Sequence, residues 1–82
     1  MNKEEILKTV HSILLDILEL KRQDLSEPIS TDTVENWDSL AHLMIINQLS
    51  ASFDIDIPVH SAVLLTSEAL IVNYVVSNSN SN

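Results

Sequence analysis

Ser39, in the run Trp37-Asp38-Ser39-Leu40, carries the hydroxyl best placed for chemistry in this chain. The run stands where a stretch rich in turn formers gives way to a helical pattern. A seryl oxygen there lies beside backbone N–H groups that no carbonyl satisfies, at the positive end of the helix dipole. A phosphate esterified to it would be held favourably. The other candidates are weaker. His42 falls on the apolar side of its helix, where a histidine satisfied by one backbone partner is expected, and His11 and His60 stand in separate segments without ligand spacing. Asp54 and Asp56 look like fragments of a calcium loop that lacks its Gly and closing Glu, which leaves a solvated turn. No acid–base pair and no nucleophile–base pair can be assigned, so neither enzyme activity nor a metal is expected.

The elements that must position Ser39 follow from periodicity and turn chemistry. Ile6, Val10, Ile13, Leu14, Ile17 and Leu18 recur at helical spacing and predict a first helix over about residues 3–20. Residues 21–37 form a long connection whose Leu25, Ile29, Val34 and Trp37 can pin it to a core. A second helix is expected from Asp38 or Ser39 to Ser52 or Phe53, with Asp38 as its N-cap, broken by Asp54-Ile55-Asp56-Ile57-Pro58. Val59–Leu65 suits a brief helical turn. A last helix should start at Thr66 or Ser67 with Glu68 in its first turn and run through Leu70, Ile71, Tyr74 and Val75. Its valines also suit a strand, but a lone strand would have nothing to pair with. The domain is therefore placed at residues 1–76, followed by a disordered Ser/Asn tail at 77–82. The chain has no glycine, so a left-handed backbone position falls to Asn, and Asn36 lies just before the motif.

Composition narrows the function classes. A chain of 82 residues makes one domain, and at this size only roughly 60–65% of the unfolded surface is buried, leaving little room for a deep substrate pocket. With no cysteine, any thiol chemistry must come from a cofactor. The acids of Met1-Asn2-Lys3-Glu4-Glu5 stand where a signal peptide would begin its apolar run, and no apolar segment approaches the ~18 residues of a membrane span, so a cytoplasmic protein is expected. The net charge of −8 arises entirely after Arg22, because no Lys or Arg follows it. Nucleic-acid binding is therefore not expected, and basic protein partners are.

Taken together, these features resemble the acyl carrier proteins. The helix, the long acidic loop, Trp37-Asp38-Ser39-Leu40, a helix closing at Phe53, then Asp56-Ile57-Pro58 and a final helix with Tyr74 match that family's pattern over about residues 3–76. The resemblance implies an all-α fold, a small antiparallel four-helix bundle of three main helices and one short one. It makes Ser39 the attachment point of a 4′-phosphopantetheine arm taken from coenzyme A by a separate phosphopantetheinyl transferase, with the transferase supplying Mg²⁺ and base. Asp38 is implied to contact that enzyme, and Leu40 matches the family's apolar contact beside the arm. For Trp37, a staple holding the loop to the bundle and a place at the arm and partner surface are both expected. The implied function is to carry acyl groups as thioesters, as a monomer, between acyl-loading and acyl-processing enzymes. Fatty-acid, polyketide and sugar-modifying systems all suit the pattern, as does an aminoacyl or peptidyl carrier. The family commonly has Gly where Asn36 stands.

Helix two departs from the family most. At 100° per residue, His42, Ile45, Ile46, Leu49 and Phe53 share the core side, with Leu40, Met44, Asn47 and Ala51 opposite and Leu43 and Ser50 between. Family members typically carry several carboxylates on the outward side, whereas Ala41 to Phe53 contains none. Leu40, Leu43 and Met44 are expected to form an apolar partner-binding patch instead. An unmodified helical adaptor that binds a protein through this patch is the competing reading.

Overall fold

The computed structural model describes residues 2–20 and 28–78. These form four helices in one small all-α fold, with no strand among the described residues: α1 (Lys3–Ile17), α2 (Ser39–Phe53), α3 (Val59–Ala62) and α4 (Glu68–Asn78). Helix α1 packs against both α2 and α4. It opens on a capping box in which Asn2 Oδ1 accepts from the Glu5 N–H at 2.9 Å and Glu5 Oε1 accepts from the Asn2 N–H at 3.3 Å.

Helix α1 stops at Ile17, three residues short of the expected end, because the backbone turns left-handed. Glu19 takes φ 55°, the Glu19 N–H reaches the Asp16 carbonyl at 3.3 Å, and the Leu20 N–H reaches the Leu15 carbonyl at 2.9 Å. This pair of reversed bonds satisfies carbonyls that a helix end leaves open. Helix α2 stops in the same way, with Asp54 at φ 52° and ψ 49° and the Ile55 N–H bonded to the Ser50 carbonyl at 3.3 Å. Asn36, expected to be the left-handed residue, is not among those with positive φ. Its side chain instead donates to the Leu18 carbonyl at 3.1 Å, closing the end of α1 from the connection before α2.

The described part of that connection is pinned as its apolar residues suggested, with Ile29 and Trp37 buried and Val34 packed on the core; Leu25 lies outside the described residues. Polar bonds add to this. Thr33 Oγ1 donates to the Pro28 carbonyl at 2.7 Å, the Thr31 N–H bonds the Thr66 carbonyl, and the Glu68 N–H bonds the Ile29 carbonyl, each at 2.9 Å. The start of α4 is thus tied to the loop, and Ser67 Oγ accepts from the Leu70 N–H at 3.2 Å as the expected cap. Helix α4 continues to Asn78, two residues beyond the expected domain boundary at 76; residues 79–82 lie outside the described residues.

Ile6, Val10, Leu14 and Leu18 from the first helix and its cap meet Ile45 and Leu49 of α2 and Ile71 and Val75 of α4, all fully buried. Each such side chain contributes roughly 1.5–3 kcal/mol. The β-branched residues of α4 therefore sit in a helix, where Ile71, Val72 and Val75 are buried. Of the core side expected for α2, Ile45, Ile46 and Leu49 are buried and Phe53 is partly so. Ala41 joins them, and His42 moves to the edge.

Candidate functional site

The site is assembled from the end of the long connection and the first turn of α2. Asp38 is the N-cap, its Oδ1 accepting from the Ala41 N–H at 2.9 Å. The Asp38 N–H bonds the Asn36 carbonyl at 3.0 Å, and the His42 N–H bonds the Asp38 carbonyl at 2.9 Å. Ser39 is the first helical residue and is exposed. With the Asp38 and Ala41 donors satisfied, the N–H groups of this helix end that have no partner among the described residues are those of Ser39 and Leu40. They flank the Ser39 side chain at the positive pole of a 15-residue helix. An anion held there gains charge-assisted hydrogen bonds.

Trp37, immediately before the cap, is only 6% exposed and lies within the core cluster. It therefore does not share the outer surface with Leu40, Leu43 and Met44, and its place in the molecule is that of the staple. Its partner is His42: the rings stand 6.0 Å apart between centroids at an interplanar angle of 28°, and Trp37 Nε1 donates to His42 Nδ1 at 3.0 Å. These two residues occupy the N′ and N4 positions around the helix start, the spacing at which hydrophobic staples form, here with a hydrogen bond added. The other nitrogen, His42 Nε2, lies 2.8 Å from the Ala62 carbonyl oxygen at the end of α3. An indole N–H only donates and a carbonyl only accepts, so the arrangement requires the neutral imidazole with its proton on Nε2. His42 thus has the backbone partner expected for it, and an indole as well.

Leu40, Leu43 and Met44 are 68%, 61% and 48% exposed, an apolar surface on α2 next to Ser39. Val59, Val63 and Leu64, on and just after α3, are also exposed. Sequence reasoning missed this second group; the short helix buries none of its own residues, a fact invisible to a four-residue pattern. The acids Glu35, Asp38, Asp54 and Asp56, which flank α2 in sequence, are exposed.

The remaining candidates come together elsewhere or not at all. His11 pairs with Glu68 across α1 and α4 at 2.6 Å, and His60 is exposed on α3. Among the described residues, no three His, Asp or Glu side chains converge to hold a metal ion, and no helix is long and apolar enough to cross a membrane. A cleft of about 520 Å³ lined by Lys8, Ser12, Ile13, Asp16 and Ile17 of α1 and Gln48 of α2, among others, does not include Ser39. Nor does a more apolar groove of about 320 Å³ beside Leu7, Ile29, Ala69 and Val72. Compared with known proteins, the chain matches no family model and no curated protein.

Proposed function

We propose that this chain is an acyl carrier protein, with Ser39 as the attachment point of a 4′-phosphopantetheine arm. The observation that carries the reading is the exposed Ser39 hydroxyl as the first residue of α2, beside two open backbone N–H groups and behind an Asp38 cap. The family resemblance of the sequence over about residues 3–76 supplies the identity of the arm. The residues fit it: Ser39 projects from a helix end where a phosphodiester is stabilised by the dipole and the Ser39 and Leu40 N–H groups. Leu40, 68% exposed, offers apolar contact beside it.

On the transferase, Ser39 Oγ bonds to the phosphorus that carries the pantetheine. The P–O bond to the nucleotide breaks, and the hydroxyl proton passes to the enzyme's base. When bound, the arm supplies the thiol that takes an acyl group as a thioester, which a chain with no cysteine lacks. The protein then orients and presents the cargo. Leu40, Leu43 and Met44 meet the partner enzymes, Asp38 and Glu35 steer basic surfaces toward the site, and the contacts stay weak enough for release.

Incubation with coenzyme A, Mg²⁺ and a broad-specificity transferase should add one phosphopantetheine to the intact mass. Ser39→Ala should accept none while keeping its helical content. An unmodified wild type with several transferases, or equal labelling of the variant, overturns the carrier reading. The exposed patch on α2 would then favour the adaptor, which binds a protein through Leu40, Leu43 and Met44 without modification. Loading of the modified protein by an acyl ligase or by an adenylating aminoacyl enzyme separates the acyl from the aminoacyl carrier.

A further inference from the structure

Helix α3 has little to hold it in place by itself. It is four residues long, its N-cap Pro58 makes no side-chain capping bond, and none of its residues is buried. An isolated turn of this length has no intrinsic stability in water. Its anchors are the partly buried Ile57 and Ala62, packed against the core at its two ends, Leu65, buried just beyond it, and the hydrogen bond from His42 to the Ala62 carbonyl, the one polar side-chain contact among them. His42 is itself held by the buried Trp37. One imidazole therefore joins the residue two before Ser39, the helix three residues after it, and the end of α3.

We propose that His42 is a positioning residue, which fixes α3 at the Ser39 end of α2 so that Val59, Val63 and Leu64 form part of the surface met by the modifying transferase. His42 does so through Trp37 and Ala62, without touching the reacting atoms. Its effect on modification rests on the carrier reading; its effect on α3 does not. The Nε2–H form satisfies both bonds at once, and only a side chain that accepts at one end and donates at the other can replace it. Gln meets that requirement and Leu does not.

The test compares wild type, His42→Leu, His42→Gln and Trp37→Phe on the full chain. In His42→Leu, amide exchange at Leu64 and Leu65, whose N–H groups bond the Ser61 and Ala62 carbonyls, should accelerate about tenfold, the factor expected for the loss of a polar contact. Leu14 and Val75, in the core, should exchange as in wild type. The Trp37 indole proton resonance should move and exchange faster. With coenzyme A and the transferase, KM for the carrier should rise about tenfold with kcat little changed, since the reacting groups are intact. His42→Gln should restore both the exchange pattern and KM.

Trp37→Phe removes the indole N–H together with part of the ring and should reproduce part of the acceleration at Leu64 and Leu65. It keeps the inference testable if His42→Leu does not fold. Wild-type protection of α3 in the Leu and Phe variants overturns the inference, as does a Gln variant that resembles Leu, because the histidine would then act by bulk alone. A wild type that accepts no phosphopantetheine at all refutes the carrier reading, and the exchange comparison still decides whether His42 holds α3.

Discussion

His11 Nδ1 on α1 and Glu68 Oε2 in the first turn of α4 lie 2.6 Å apart, joining residues 57 positions distant in sequence. With its proton on Nδ1, the imidazole donates to a carboxylate whose own backbone N–H is bonded to Ile29. Glu68 is thus shared between α1, the long connection and α4. The pair is partly exposed, at 39% and 22% of the side chains, which moderates its worth. A double-mutant cycle with His11→Gln and Glu68→Gln, read by urea unfolding at neutral pH, should give a coupling energy of about 0.5–1 kcal/mol. Coupling near zero would make the contact incidental to the packing of α1 on α4.

Trp37 packs in the core and also donates to His42, so its two contributions can be separated. Trp37→Ala should cost roughly 3–5 kcal/mol by emptying the site, whereas Trp37→Phe should cost nearer 1 kcal/mol by removing the N–H and part of the ring. Thermal unfolding followed by circular dichroism measures both. Under the carrier reading, modification of Ser39 in the Ala variant should persist at a permissive temperature. A stable Ala variant that is not modified would mean that the ring serves recognition.

Asp38 has a structural duty that can be kept while its charge is removed. Asp38→Ala deletes the bond to the Ala41 N–H and should cost about 1 kcal/mol, while Asp38→Ser or Asp38→Asn should hold stability within a few tenths. Transferase kinetics on the capped variants then report the charge alone. Under the carrier reading, kcat/KM should fall for Asp38→Asn although the fold is unchanged; unaltered kinetics would confine Asp38 to capping.

The left-handed stops at Glu19 and Asp54 are filled by residues that pay for a Cβ there, since φ is 55° and 52°. Asp54→Gly should raise stability by roughly 0.5–1 kcal/mol, and Asp54→Val should lower it by at least as much, because a branched Cβ fits this region worst. The midpoint of urea unfolding distinguishes them. A destabilised Gly variant would assign the Asp54 carboxylate a role beyond ending α2.

Partner binding through the exposed apolar patch on α2, as proposed above, should have a distinct salt response. Attraction between surface charges is screened with a Debye length of about 8 Å at physiological ionic strength and ~3 Å at 1 M salt, while apolar contact is not weakened this way. Under the carrier reading, affinity of the modified protein for its downstream enzyme should therefore fall only modestly with salt, and Met44→Glu should reduce it more than Glu35→Gln. Added salt should act mainly on the association rate, through the flanking acids. A steep loss of equilibrium affinity with salt, combined with indifference to Met44→Glu, would show the acids to be dominant.

What the sequence determined by itself is what neighbouring residues decide. The apolar spacing of Ile6, Val10 and Leu14, the cap at Asp38, the break after Phe53 and the start of α4 are consequences of local periodicity and hydrogen bonding, and the helices begin close to where those signals stand. The place of Ser39 at a helix start was legible for the same reason, as was the outward direction of Leu40, Leu43 and Met44 on a helix of known period. Trp37 as a staple of the loop was legible as well, although neither its partner His42 nor the hydrogen bond between them was. Tertiary structure decided the rest. Whether Asn36 would turn left-handed or send its amide to Leu18, and which residues would end α1 and α2, depended on where the loop meets the bundle. Ala41 became core, His42 bonded Ala62, and His11 found Glu68, because packing brings together groups far apart in sequence and leaves each buried polar atom to be satisfied by whatever then lies beside it.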